Sequence, residues 1–199
     1  MFSDIQVVVH PVKEPCTLDQ LKGHARVALD DTSQDADLNR ALVASRMRCE
    51  GFTRLSLITQ TLDVWYHSWD NPGLIEQLPR GKVQQVLGVF VYDDSSIETE
   101  VDSGIYTVMG NTILFATWPP YFRPYYGIRV QIVSGFGDEP EDVPADLTEG
   151  ILEYATHMFE YRLGEGPETK YQAQASTGGL PPTVYDKWNR WQVRYSGTT

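Results

Sequence analysis

The sequence predicts an α+β fold, in which a small body of three main helices carries an antiparallel β-sheet or sandwich inserted between helices two and three. Helical periodicity is found before residue 57 and again after residue 143. Between them lie short β-branched and aromatic segments, separated by turn residues and by no helix, which is typical of an antiparallel sheet. The expected parts are a helical segment 1–56, a β insertion 57–137, a third helix 138–163 that completes the body, and a C-terminal arm with a short helix, 164–199.

Start signals define the helices of the body. Thr17 followed by Gln20 has the spacing of a capping box, which predicts the first helix. Asp35 and Asp37 suit the positive end of the dipole of a second helix. Pro144 suits the first turn of the third, where its missing N–H does no harm. The predicted helices span residues 18–28, about 33–53, and 144 to about 162.

The strands are predicted from composition and from the turns between them. Gly110-Asn111 is a two-residue turn with glycine first, which favours a type II′ hairpin. Asp93 and the three residues after it form another turn signal. The predicted strands span residues 57–66, 83–92, 97–101, 105–109, 112–116 and 127–134.

The segment 135–147, GFGDEPEDVPADL, holds five carboxylates and invites a calcium or phosphate site. Pro140 stands where the third glycine of a dinucleotide-binding motif would fall, and the EF-hand order of acids is absent. We interpret the segment as a strand end, a solvated turn and a helix start. No catalytic constellation, metal-ligand spacing or nucleotide motif is found, so we expect no enzyme, no metal and no cofactor.

The charge excludes one class of function. A net charge of −11 argues against a surface that neutralises DNA phosphates. Residues 164–199 hold four basic and three acidic side chains, +1, so residues 1–163 carry −12. No signal peptide and no apolar run of membrane-spanning length is visible, so we expect synthesis in a cytoplasm and no membrane partner.

The arm ends in a short aromatic helix. Val184, Trp188, Trp191 and Tyr195 follow the spacing i, i+4, i+7, i+11 and so share one helical face. A short helix on a tether rich in glycine and proline cannot bury that face alone, so we expect it to dock in a groove. Two hypotheses stay open, a groove on a partner and a groove on its own body. If the groove belongs to a partner, deleting residues 165–199 leaves the body folded.

The order of several motifs resembles the head–tail connector, or adaptor, family of tailed bacteriophages and gene-transfer particles. The resemblance covers roughly residues 17–163, and the order of the motifs makes the signal. The segments that carry it are TLDQLK (17–22), LDD (29–31), LITQT (57–61), LPR (78–80), WP (118–119), RP (123–124), SGFG (134–137), VPADL (143–147) and the helix ending His157, Phe159, Glu160, Arg162.

The resemblance implies a structural virion protein located in the neck of the particle. Such proteins form a dodecameric ring beneath the portal, extend the DNA channel without binding DNA specifically, and contact a stopper or tail-completion protein. The tail helix would then dock on the portal through Val184, Tyr185, Trp188, Arg190, Trp191, Arg194 and Tyr195. The acidic hairpin is a candidate lumen or subunit surface, formed by Asp93, Asp94, Glu98, Glu100 and Asp102.

Two other functions stay open. One is a different neck protein, such as a stopper or tail-completion subunit. The other is a carbohydrate-binding or hydrolytic β domain that uses aromatic loops and a pair of carboxylates. The aromatic residues concerned are Trp65, Tyr66, Trp69, Trp118, Tyr121, Phe122, Tyr125 and Tyr126.

Overall fold

A computed structural model describes residues 2–67, 74–75, 78–117, 123–161 and 179–193. The fold is α+β, as the sequence predicts. The described residues group into two compact units. A β unit consists of residues 2–12 and 58–138, and a helical unit consists of residues 13–57 and 139–193.

The described strands of the β unit form two antiparallel sheets. The larger sheet has five strands in the order β1-β2-β8-β4-β5, and the smaller has three in the order β3-β7-β6. The strands are β1 Phe2–Val9, β2 Gln60–Tyr66, β3 Leu74–Ile75, β4 Val83–Tyr92, β5 Glu98–Glu100, β6 Tyr106–Met109, β7 Thr112–Phe115 and β8 Ile128–Ser134.

Strict alternation in β2 and β8 gives the large sheet one buried face and one half-buried face, which we call the open face. Apolar side chains on the buried face meet residues of the smaller sheet, such as Ile113, in one core. The buried residues of this core are Leu62, Val64, Tyr66, Leu78, Val89, Val91, Val101, Ile113, Ile128, Val130 and Ile132. The open face carries the intervening residues, among them Asp63, Trp65 and Arg129.

Two turns of the β unit follow the sequence prediction. Gly110 has a φ of 59° in the loop between β6 and β7, which a type II′ turn requires at its first central position. Gly135 has a φ of 151°, and a side chain there would lie 2.6 Å from the backbone nitrogen of Thr59. The segment 135–147 therefore needs glycine for a close backbone approach, and two of its five acids, Glu141 and Asp142, lie on a turn of 3₁₀ helix, Pro140–Asp142.

In the described part of the helical unit there are four helices, α1 Leu18–His24, α2 Asp35–Thr53, α3 Ala145–Glu160 and α4 Pro182–Asn189. The predicted capping box is present, with Thr17 accepting from the Gln20 N–H and Gln20 accepting from the Thr17 N–H. α2 and α3 pack together, and α1 and α4 pack against both. The largest buried side chains of this unit include Leu21, Leu38, Leu57, Leu147 and Trp188.

Buried charges in the helical unit are paired. Lys22 is 2% exposed; its ammonium lies 2.6 Å from Asp35 and donates to two backbone oxygens of the loop after α1. Arg46 donates to Glu14 at 2.7 Å and to Glu50 at 3.0 Å. Because these groups satisfy one another, they hold the segments before and after α1 on the body.

The structure differs from the prediction at the N-terminus and at one helix end. Residues 2–9 form β1, which pairs with β2, whereas the sequence analysis placed them in the helical segment 1–56. α1 ends at His24 rather than 28, and Arg26 adopts a φ of 56° just after it. The short strand β3 was also not predicted. Among the described helices, none has both the length and the apolar character needed to cross a membrane.

Candidate functional surfaces

The aromatic tail helix α4 lies in a groove formed by α2 and α3 of its own chain. Val184 and Trp188 are both 0% exposed. The Trp188 ring lies 6.3 Å from that of Phe52 and 5.7 Å from that of Tyr154, centroid to centroid. Gly150 on α3 provides the space, because a side chain there would lie 2.9 Å from Trp188 Cδ1 and would overlap Nε1.

Polar contacts surround the apolar groove that holds Val184 and Trp188. The ammonium of Lys187 lies 2.8 Å from the Glu153 carboxylate, which also accepts from the hydroxyl of Thr183. Burial raises the pKa of Glu153, but these hydrogen bonds outweigh it, so its pKa lies below the usual value. Arg190 lies 3.6 Å from Asp146, and the Val193 N–H donates to the Thr53 carbonyl at 2.9 Å. The contacts continue along the helix and just beyond it.

The predicted portal-docking residues therefore occupy different environments. Val184 and Trp188 cannot contact a partner while α4 keeps this packing, so the structure shows the second hypothesis, a groove on the chain's own body. Arg190 is exposed, and Tyr185 and Trp191 are half-buried. Arg194 and Tyr195 lie outside the described residues. Docking on a portal stays a prediction for the accessible residues.

One consequence corrects the expectation for a truncated chain. Deleting residues 165–199 removes Val184, Trp188 and the fully buried Leu180 from the core of the helical unit. Loss of a buried tryptophan alone costs about 3–5 kcal/mol. The body is therefore not expected to keep its stability without the arm.

The acidic hairpin between β4 and β5 uses its carboxylates in two ways. Asp93 accepts from the N–H groups of Ser95 and Ile97, and Asp102 accepts from the Gly104 N–H, so these two acids hold turns. Asp94, Glu98, Glu100 and Asp102 are exposed on the hairpin. The structure thus places the five predicted acids on one hairpin and in the loop after it. Two of these acids also stabilise the turns of this segment through their hydrogen bonds.

Glu98 belongs to a network on the open face of the large sheet. The Arg129 guanidinium donates to Glu98 at 2.8 Å and to both Asp63 oxygens at 3.2 Å, and it lies 4.1 Å from the centroid of the Phe90 ring. The Tyr92 hydroxyl also contacts Glu98. Arg129 and Asp63 are 12% and 13% exposed, so the pair is largely removed from water.

The network shifts the pKa values of its members. Burial raises the pKa of Glu98, but hydrogen bonds from Tyr92 and Arg129 outweigh it and hold the pKa below the usual value. Burial alone would lower the pKa of Arg129, but Glu98, Tyr92 and Asp63 hold it above the usual value. All charged groups here are paired, so the arrangement orders the sheet and offers no unpaired acid or base for catalysis.

Sequence reasoning missed Arg129 and Asp63. A signal was available, because both are charged residues that alternate with apolar residues in predicted strands. Register pairs Trp65 with Arg129 and Asp63 with Gln131, which places the side chains on one face. That register joins β2 to a strand more than sixty residues later, so spacing along the chain does not reveal it.

The aromatic loops are only partly described. Trp69, Trp118, Tyr121 and Phe122 lie outside the described residues. Trp65 packs on the rings of Tyr92 and Tyr126 at 5.3 and 6.2 Å, and Tyr66 is buried in the core. Tyr125 is exposed. Within the described part, the aromatic residues thus serve mainly as packing partners of one another.

The described residues show neither a metal site nor a reactive thiol. Among the described residues no group of three or more His, Cys, Asp or Glu side chains is placed to hold a metal ion. Cys16 and Cys49 are free and buried. Burial raises the pKa of Cys16 to about 12 and that of Cys49 well above its usual value, so both thiols stay protonated at neutral pH.

Comparisons with solved structures confirm the fold. The chain is similar to one from the neck of an empty gene transfer agent (GTA) particle computed with C6 symmetry, with a TM-score of 0.76 and 23% identity over 98% of this chain and 99% of that one. It is also similar to a chain from the virion of a native GTA particle, with a TM-score of 0.77 and 21% identity over 98% and 99% of the two chains.

A third similar chain comes from the neck of a native GTA particle computed with C12 symmetry, with a TM-score of 0.69 and 20% identity over 96% and 98% of the two chains. No protein-family profile and no curated protein sequence matches the chain. The likeness extends over nearly the whole of both chains in each structural comparison, so both units belong to one shared α+β architecture.

Proposed function

We propose that this chain is a structural subunit of the neck of a virus-like or gene-transfer particle, where it forms the head–tail connector, or adaptor, ring beneath the portal. The observation that carries the proposal is the nearly full-length likeness to chains of GTA particles, two of them described as neck. The order of motifs from residue 17 to residue 163 points to the same family. A structural rather than enzymatic role follows.

Electrostatics supports a role around DNA rather than on it. The chain carries a net charge of −11, and the hairpin acids lie on an exposed segment. An acidic surface repels phosphates, so a ring of such chains lets a duplex slide through without specific contacts. In a ring of twelve copies the negative charges would add up, and the wall of a channel through the ring would repel the phosphates more strongly.

The tail helix supports a portal contact of a restricted kind. While α4 stays in its groove, three of the predicted docking residues remain accessible to a portal: half-buried Tyr185 on the helix, and exposed Arg190 and half-buried Trp191 just after it. These residues are a small aromatic and cationic patch, and aromatic and arginine side chains are enriched where proteins bind. We infer that a portal contact uses this patch.

The proposal is tested by locating the chain in assembled particles. An internally tagged chain, detected by electron microscopy, is expected as a ring of twelve copies at the head–tail joint, and particles made without it are expected to have separate heads and tails. A control chain tagged at the same site but assembled without portal should not be found on heads. A location in the capsid shell or tail tube would contradict the proposal.

The same likeness also fits a stopper or tail-completion subunit, because the compared chains come from the neck or the virion of a GTA particle, which does not specify their role within it. These roles differ in which proteins the chain contacts in the particle. An adaptor touches the portal directly, so cross-linking followed by mass spectrometry should join this chain to the portal. Cross-links to tail proteins alone would assign the chain to the tail-completion role instead.

A further inference from the structure

The loop before β4 carries two basic side chains that no carboxylate neutralises. Arg80 and Lys82 lie in the three residues that precede this strand. Among the described residues, no carboxylate lies within ion-pair distance of either side chain, whereas Arg129 in the same unit is paired with two. Lys82 is exposed, and its ammonium lies 5.2 Å from the centroid of the Phe136 ring. We call residues 80–82 the basic loop.

Arg80 also lacks a hydrogen-bond acceptor. Its Nη1 atom is buried and has no hydrogen-bond partner in the described structure. Buried polar atoms of proteins are nearly always hydrogen-bonded, so this exception points to a partner from outside the chain. The planar guanidinium fits a carboxylate through two parallel N–H···O bonds. Because the side chain as a whole is only half-buried, a carboxylate of another molecule can reach it.

The backbone of the basic loop is fixed in an uncommon conformation. Arg80 and Lys82 have φ values of 61° and 67°, in a region that few residues other than glycine adopt. At the end of β8, the Ser134 hydroxyl donates to the Arg80 carbonyl, and the Gly135 N–H donates to the Lys82 carbonyl at 3.0 Å. Such a backbone persists where the surrounding structure holds it, so both basic side chains project from a rigid strand end.

Acids without a basic partner lie toward the opposite end of β4. Glu100 on β5 is paired in register with Phe90, and Asp102 follows in the next loop. Both acids are exposed, and no basic side chain of the described residues lies within ion-pair distance of them. Phe90 is eight residues after Lys82, which is roughly 26 Å along the strand at about 3.3 Å per residue. The basic loop therefore does not meet these acids within one chain.

We propose that the basic loop of one copy binds Glu100 and Asp102 of the next copy, with the Arg80 guanidinium on the Glu100 carboxylate and Lys82 beside Asp102. This inference rests on the proposed ring, because a closed ring needs two different, complementary surfaces on each chain. Opposite charges toward the two ends of one strand form such a pair. DNA is the weaker candidate for the basic loop, because a duplex is held at physiological salt by many phosphate contacts and the loop offers two cations.

Zero-length cross-linking tests the contact in the full-length chain. Light and isotopically heavy chains are mixed in equal amounts at about 1 mM, the order of the effective concentration between linked neighbours, and a carbodiimide joins amines to carboxylates that touch. Mass spectrometry should show Lys82 joined to Glu100 or Asp102, with about half of these cross-links combining a heavy and a light chain. The internal control is Lys187 with Glu153, whose 2.8 Å ion pair lies within one chain and should give unmixed cross-links. A missing mixed cross-link at Lys82, or one to a different acid, would overturn the proposal.

Charge reversal tests the complementarity. Lys82→Glu should weaken self-association, measured by sedimentation equilibrium, about tenfold, because an attractive pair becomes repulsive. Adding Glu100→Lys to the same chain should restore it, and unchanged melting temperatures show that the variants fold. Arg26→Glu is the matched control, since Arg26 is also exposed, has a φ of 56° and makes no ion pair in the described structure. Equal effects of the Lys82 and Arg26 variants, or a Lys82 loss that Glu100→Lys does not rescue, would overturn the proposal.

The outcomes separate this inference from the proposed function. If micrographs show the chain as a ring at the head–tail joint but Lys82 gives no mixed cross-link to Glu100 or Asp102, the ring stands and this contact is wrong. If the cross-link is mixed and the charge swap restores association but the chain is absent from the neck, the contact between copies stands and the neck role is wrong. Duplex DNA that binds the wild-type chain but not the Lys82→Glu chain would assign the basic loop to phosphate and overturn the contact.

Discussion

At the scale of single residues, the open face of the large sheet depends on Arg129. Two carboxylates, a tyrosine hydroxyl and an aromatic ring contact its guanidinium. A charge at 12% exposure is stable there only because Asp63 and Glu98 compensate it. The network joins β2, β8, β4 and β5, so one side chain couples four of the five strands.

We predict that Arg129→Met destabilises the protein by about 2–3 kcal/mol, because Asp63 keeps only its contact with Gln131 and loses the neutralising charge. The pKa of Glu98 is lowered in the folded state, so its contribution is present above its unfolded pKa and is lost as pH falls through the folded value. The difference between wild type and variant in urea unfolding should therefore shrink in acid.

Arg40→Met is the matched control, since Arg40 also pairs with a carboxylate but is 75% exposed. Its effect should stay within about 0.5 kcal/mol. Equal losses for the two variants, or a difference that does not depend on pH, would show that the Arg129 network contributes no more than a surface ion pair.

The two thiols give a second prediction at this scale. With a pKa of about 12 for Cys16, roughly one thiol in ten thousand is a thiolate at pH 8. Cys16 and Cys49 should react with a maleimide at least about a hundredfold more slowly in the native chain than in denaturant, as measured by mass spectrometry. Complete labelling of the native chain within the time of the denatured control would contradict their burial.

At the scale of elements, the decisive contact is that of α4 with its own body. Gly150 lets the Trp188 ring approach α3, and the rings of Phe52 and Tyr154 pack against it. The helix is eight residues long, too short to be stable alone, so it stays helical because Trp188 packs in this groove.

We predict that Gly150→Ala displaces Trp188 from the groove and destabilises the helical unit by about 1–3 kcal/mol, since the added methyl overlaps a fully buried ring. Amide exchange over residues 182–193 should accelerate while exchange in β2 and β8 stays unchanged. Gly51→Ala on α2 is the control, because nothing lies within 4 Å of its added methyl, and it should be neutral or stabilising. Slow exchange in the Gly150→Ala tail would mean that α4 does not depend on this contact.

The elements also show what the sequence could predict. β4 is predicted with its observed bounds, and β2 and β8 to within a few residues, because each is a long β-branched run between turn residues. β1 was missed since its strand identity depends on pairing with β2, more than fifty residues away. Val184 and Trp188 share a buried face of α4, as their spacing predicts, but the helix ends at Asn189, so Trp191 lies beyond it. Spacing also does not say whose groove the face fills. The space left on α3 by Gly150, which has no side chain, accommodates Trp188, and a lone glycine in a helix carries no such signal.

At the scale of the whole molecule, charge and fold point to the same use. The chain carries a net charge of −11, and basic residues such as Arg129 and Lys187 are paired with carboxylates. In the proposed ring, subunits of this charge would present an acidic surface that repels the phosphates of DNA.

We predict that the full-length chain does not bind duplex DNA at physiological salt, because a net charge of −11 gives no release of phosphate counterions. Fluorescence anisotropy of a labelled 30-base-pair duplex should show a dissociation constant weaker than about 10⁻⁴ M, the weak end of non-specific binding. A chain with Asp94→Lys and Glu100→Lys is the control and should stay equally weak, since its net charge is still −7. Binding in the micromolar range that falls steeply with salt would show a phosphate-binding surface, which a channel that lets DNA slide must lack.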